Sequence, residues 1–116
     1  MIAKLICQNA LASPRTISLD SFPIELGRGA TVGVRIDDRW LSRRHCVITQ
    51  VGDSLEVRDL NSTHGTYVNG QRISQEKLLP GQVLQLGLTH FLVQYETSED
   101  SAQLNISQSD PNLAVA

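Results

Sequence analysis

Residues 59–70 read Asp-Leu-Asn-Ser-Thr-His-Gly-Thr-Tyr-Val-Asn-Gly, and the fold turns on this stretch. Its second half predicts a β-hairpin. Thr66-Tyr67-Val68 has strand composition, Asn69-Gly70 turns the chain, and Gln71-Arg72-Ile73 returns. Asn-Gly is a strong hairpin signal because a type I′ turn needs positive φ at both central positions. The first half, Asn61 to Gly65, is a run of small polar residues. Such a loop leaves hydroxyls and backbone N–H groups free to face a ligand.

Upstream, His45 to Val51 reads as a strand, Gly52-Asp53 as a turn, and Leu55 to Asp59 as the returning strand. Antiparallel neighbours bring the start of one strand beside the end of the other. The polar loop Ser42-Arg43-Arg44-His45 therefore falls at the same end as the Asn61 loop. Gly27-Arg28-Gly29 ends an earlier alternating run, Pro23 to Leu26, and lets Arg28 project from a loop. Three loops thus converge, and their chemistry suits an anion. Gly27, Gly29 and Gly33 also resemble a dinucleotide-binding pattern, but residues 34–39 have no helical apolar spacing, so that reading fails.

The remaining pattern is equally strand-like. Ile2 to Cys7, Thr16 to Leu19, Val83 to Leu86 and His90 to Glu96 are apolar or alternating runs broken by Gly, Pro and polar residues. Ser74 to Leu79 is too short to predict a helix, and Pro80-Gly81 predicts a type II turn. Short strands at this spacing predict an all-β sandwich.

Gly27-Arg28, Ser42-Arg43-x-His45 and Asp59-Leu60-x-Ser62-x-x-Gly65-Thr66-x-x-Asn69-Gly70, in this order, resemble the forkhead-associated (FHA) domain family. The resemblance covers roughly residues 1–96. It implies a β-sandwich of two twisted, mostly antiparallel sheets with about eleven strands. It further implies a non-catalytic module that binds phosphothreonine peptides, with Arg28, Ser42, Arg43, Thr63 and His64 as contacts. Arg28 is the main expected anion ligand, since a guanidinium fork matches two phosphate oxygens. Gly27, His45, Ser62, Gly65 and Asn69 are expected to support the site structurally. His64 departs from the family, which usually has Asn there. Neutral His keeps one donor and one acceptor, on a rigid ring of different reach. Trp40 has two readings, core packing or the border of a pocket for a peptide side chain. A scaffold of the same fold that binds an unphosphorylated protein is the alternative function.

Composition narrows the rest. The chain has 116 residues, 41% apolar and only 4% aromatic, so one domain with an aliphatic core is expected. A net charge of −2 argues against a dedicated nucleic-acid or membrane binder. Locally, Arg28, Arg35, Arg39, Arg43 and Arg44 cluster around the proposed anion site. Cys7 and Cys46 read as two buried free thiols. The short, polar-flanked apolar run at the start does not read as a signal peptide, and a cytoplasmic monomer is expected. Residues 97–116 carry three acids and no Lys or Arg, and read as a flexible acidic and polar tail. If phosphorylated, Thr97 within that tail offers a self-binding ligand.

Enzyme readings lack support. His45 and Cys46 are strand neighbours and face opposite ways. Three His and two Cys without paired spacing do not predict a metal site, and no cofactor is expected.

Overall fold

In the computed structural model, residues 2–9 and 15–96 are described. Strand pairing follows the alternation of the sequence. In order the strands are β1 (Ala3–Cys7), β2 (Thr16–Leu19), β3 (Ile24–Gly27), β4 (Val34–Arg35), β5 (Cys46–Val51) and β6 (Ser54–Asp59). They continue with β7 (Thr66–Val68), β8 (Gln71–Ile73), β9 (Gln75–Leu78), β10 (Val83–Leu86) and β11 (Thr89–Tyr95). One sheet has the order β2-β1-β11-β10-β7-β8 and the other β4-β3-β5-β6-β9. Every pairing is antiparallel except β3 with β4. The all-β sandwich of eleven strands is therefore as expected.

The inward faces are aliphatic, because period-two alternation places every second residue of a strand on one side. Leu5, Leu19, Leu26, Ile48, Leu55, Val57, Leu84, Leu86 and Val93 are fully or almost fully buried around Phe91. Tyr95 ties the two sheets together. Its hydroxyl donates to the Leu78 carbonyl at 2.6 Å and accepts from the Leu55 N–H at 3.2 Å.

The Asn69-Gly70 hairpin forms as read, with φ of 49° and 83° at its two turn residues. The Pro80-Gly81 turn has Gly81 at φ 88°, and Gln82 N–H donates to the Leu79 carbonyl at 3.2 Å. These are the features of a type II turn.

Three sequence readings need adjustment. Ser74 to Leu79 is not left over from the sheets. Gln75–Leu78 is β9, an edge strand in register with β6 through Leu55 and Leu78. Its alternation is hidden because only Leu78 of its four residues is buried. The last strand runs one residue earlier than expected, because Thr89 is its first buried residue. Of the two free thiols only Cys46 is buried. Cys7 is half-buried and its thiol donates to the Asn9 carbonyl at 2.7 Å. Residues 97–116, including Thr97, lie outside the described residues.

Candidate functional site

Loops 28–33, 36–45 and 60–65 meet at one end of the sandwich, where β3 and β6 end and β5 and β7 begin. Main-chain bonds weld them. Arg28 N–H donates to the Ser42 carbonyl and Gly29 N–H to the Arg43 carbonyl, both at 3.0 Å. Leu60 N–H donates to the His45 carbonyl at 2.9 Å. This contact explains Gly27. A Cβ there would lie 2.2 Å from the Arg43 carbonyl oxygen. Its role is close approach of two backbones, where the sequence suggested freedom for a sharp exit.

His45 is the buried strut of this end. It is fully inaccessible to solvent. Its Nδ1 accepts from the Ser42 N–H at 3.1 Å, which leaves Nε2 protonated to donate to the Gly65 carbonyl at 2.9 Å. One neutral ring thus joins the Ser42 loop to the Asn61 loop. Burial pushes the His45 pKa below its ordinary value, against the opposing effects of the Gly65 bond and the carboxylates of Asp59 and Asp38. The neighbouring Cys46 thiol is pushed well up by burial, so it stays protonated and inert.

Asp59 organises the second loop. Its carboxylate accepts from Ser62 N–H at 3.0 Å, Ser62 Oγ at 2.6 Å and Thr66 Oγ1 at 2.7 Å. Ser62 Oγ in turn accepts from Gly65 N–H at 3.0 Å. Partial burial works to raise the Asp59 pKa, but the bonds from Ser62 and Thr66 outweigh it and hold the carboxyl below its usual range. Asn61 and Gly65 take positive φ, 59° and 91°, which gives this polar run its tight path.

On this frame the expected anion contacts come together. Arg28 is exposed, and its Nε donates to the Leu41 carbonyl at 3.1 Å. That bond fixes the guanidinium plane and leaves its terminal nitrogens outward. Ser42 Oγ accepts from Thr63 N–H at 3.0 Å. Thr63 N–H is therefore occupied, contrary to one option read from the sequence. The Ser42 hydroxyl proton and the exposed Thr63 side chain remain to face a ligand. Arg43 is exposed beside them. Arg44 is turned away, into a forked pair with Glu25 at 2.9 and 2.6 Å, so its charge belongs to that pair. Asn69 sits at the far end of β7, where its Oδ1 accepts from Val83 N–H at 2.8 Å. It supports the β7–β10 pairing, not the loops.

Trp40 is not core. It is 40% exposed, and its ring meets the His64 ring edge-on with centroids 5.0 Å apart. The Arg39 guanidinium lies 5.8 Å from the Trp40 centroid. The sequence did not reveal this pairing of the two loops, nor the residue that ties the Trp40 loop to the β10–β11 turn. That residue is Asp38, which is buried. Its Oδ1 accepts from Trp40 N–H at 2.8 Å, and its Oδ2 accepts from Leu88 N–H at 2.9 Å and Thr89 Oγ1 at 2.7 Å. An Asp bonding a backbone two residues on is a local turn signal, so Asp38 was findable in part. Trp40→Ala keeps that backbone bond. It is expected to change stability by no more than about 0.5 kcal/mol, as for a surface substitution. Its larger effect should be on peptide side-chain preference, read by paired melting and peptide-array measurements. A collapse of the melting temperature would restore the core reading.

A sandwich of this topology with three loops welded through a Ser-Arg-x-His strand entry defines an FHA domain. The FHA domain family model matches residues 24–87, and the chain belongs to that family. It is 37% identical over 81 residues to the FHA domain-containing protein FhaA of Mycobacterium tuberculosis, a match over 70% of this chain and 15% of FhaA. It is 36% identical over 69 residues to the oxoglutarate dehydrogenase inhibitor of Corynebacterium jeikeium, over 60% of this chain and 48% of that protein. The chain thus spans about half or less of these two relatives. A solved FHA domain, studied for phosphothreonine-dependent interactions, superposes with a TM-score of 0.75 at 32% identity, covering 84% of this chain and 99% of its own.

Proposed function

We propose that this chain is a non-catalytic module that binds phosphothreonine peptides at the three-loop end, within Ser/Thr-kinase signalling. The observation that carries the reading is the Arg28–Ser42–Thr63 cluster. An outward guanidinium and a hydroxyl with a free proton stand together on a rigid frame. A phosphate dianion with three acceptor oxygens complements these groups. Arg43 adds a second charge. His64 contacts the peptide from its place beside Trp40. The phosphothreonine-dependent interactions of a similar FHA domain support the same ligand class here. The module acts as a cytoplasmic monomer, without metal or cofactor and without binding nucleic acid or membrane.

The test is an oriented phosphothreonine-peptide library with its unphosphorylated control, followed by calorimetry on matched peptides. Phosphothreonine should be selected, and should exceed phosphoserine by roughly 10- to 200-fold, the worth of one methyl in a fitted apolar pocket. Equal binding of the unphosphorylated library would favour the scaffold reading instead.

A further inference from the structure

The basic end of the molecule carries more positive charge than one phosphate needs. Among the described residues, Arg44 with Glu25 is the one ion pair. Arg28, Arg35, Arg39 and Arg43 therefore stand without carboxylate partners there. Arg39 lies against Trp40. Arg28 and Arg43, with the Ser42 hydroxyl, already suffice for a single phosphate group.

Arg35 is the surplus. It is the exposed second residue of β4, level with Gly27 in the parallel pairing of β3 and β4. Its Nε donates to the Arg28 carbonyl at 3.2 Å. That bond anchors the Arg35 guanidinium against the backbone of the residue expected to hold the phosphate. It also leaves the terminal nitrogens of Arg35 free, as the Leu41 bond does for Arg28. Asp37, the nearest acid in sequence, makes no ion pair with it. A fixed, exposed guanidinium with no acid paired to it attracts an anion.

We infer that Arg35 forms a second anion subsite beside the phosphothreonine site, and that the ligand carries a further negative group near its phosphothreonine. That group is a carboxylate or a second phosphate. The inference rests on the phosphothreonine reading of the site.

The test uses phosphothreonine peptides in which each neighbouring position in turn holds Gln, Glu or a second phosphothreonine. Wild type should gain about three- to tenfold from an anion at one or two adjoining positions, a size between exposed and desolvated ion pairs. Arg35→Gln should lose that gain while still binding the Gln-neighbour peptide almost as well as wild type. Gain from Glu identifies a carboxylate subsite, and gain from the second phosphate alone identifies a phosphate subsite. Either outcome supports the proposal. An equal loss across all neighbours in Arg35→Gln, or no gain in wild type, overturns it. Arg28→Ala run in parallel separates the two levels. If that variant binds like wild type, the phosphothreonine reading fails. If it loses binding while the Arg35 pattern is flat, only the second subsite fails.

Discussion

Arg28→Ala is expected to reduce phosphothreonine-peptide affinity by roughly 30- to several-thousand-fold while leaving the fold intact. The figure corresponds to about 2–5 kcal/mol, the scale for truncating one partner of a charge pair that becomes desolvated on binding. The side chain is exposed and its one intramolecular bond is from Nε to the Leu41 carbonyl. Folding stability should therefore shift by no more than about 0.5 kcal/mol. The frame beneath it is made by main-chain bonds from Arg28 and Gly29 to Ser42 and Arg43, which the substitution keeps. Calorimetry and a thermal melt on the same sample check both halves. Binding within twofold of wild type would mean that the phosphate lies elsewhere.

His45→Ala is expected to act in the opposite way, through the fold first and binding second. The ring is fully buried and joins two loops by two bonds. Its removal leaves a buried N–H at Ser42 and a carbonyl at Gly65 without their partner, in addition to a cavity. Each unsatisfied group costs about 1–3 kcal/mol, so a total of roughly 3–5 kcal/mol is expected. For a domain of this size that lowers the melting midpoint by at least about 12 °C. Binding should fall as well, because Ser42 loses the bond that fixes its backbone.

The same residue predicts a pH dependence. Burial holds the folded pKa of His45 below the unfolded value. Below about pH 6.5 the unfolded chain therefore takes up a proton that the folded chain refuses. Stability from His45 is full above that pH and is lost as pH falls toward the folded pKa. Asp59 and Glu25, both held low, contribute stability that is lost only at more acid pH, below about 4. Unfolding free energies from denaturant titrations should therefore change little from about pH 7.5 to 6.5, then fall by up to about 1.4 kcal/mol per pH unit from about pH 6.5 to 5.5. A flat profile there would contradict the neutral-strut account of His45.

Much of this was legible because the signals are local. Asn69-Gly70 fixes a hairpin through its φ requirements, and antiparallel pairing of β5 with β6 brings Cys46 opposite Asp59. That register makes the Ser42 and Asn61 loops meet. His45 as a structural support of the site was readable from its place at the start of a strand. The hidden features depend on contacts across the fold. β9 is an edge strand with one buried residue, so it has almost no alternation to detect. Trp40 and His64 are far apart in sequence, and only the welded loops bring their rings together. Arg35 looks like one more surface charge until its bond to Arg28 is seen. Gly27 reads as a turn residue, whereas its need is space for the Arg43 carbonyl.

The most direct test of the three-loop site is an amide chemical-shift titration of the whole chain with a phosphothreonine peptide and its unphosphorylated twin. The expected result is a saturable set of shifts confined to residues 27–29, 40–45 and 60–66, given by the phosphorylated peptide alone. Shifts centred on the outer face of the β1–β11–β10 sheet, or identical shifts with the unphosphorylated twin, would contradict it.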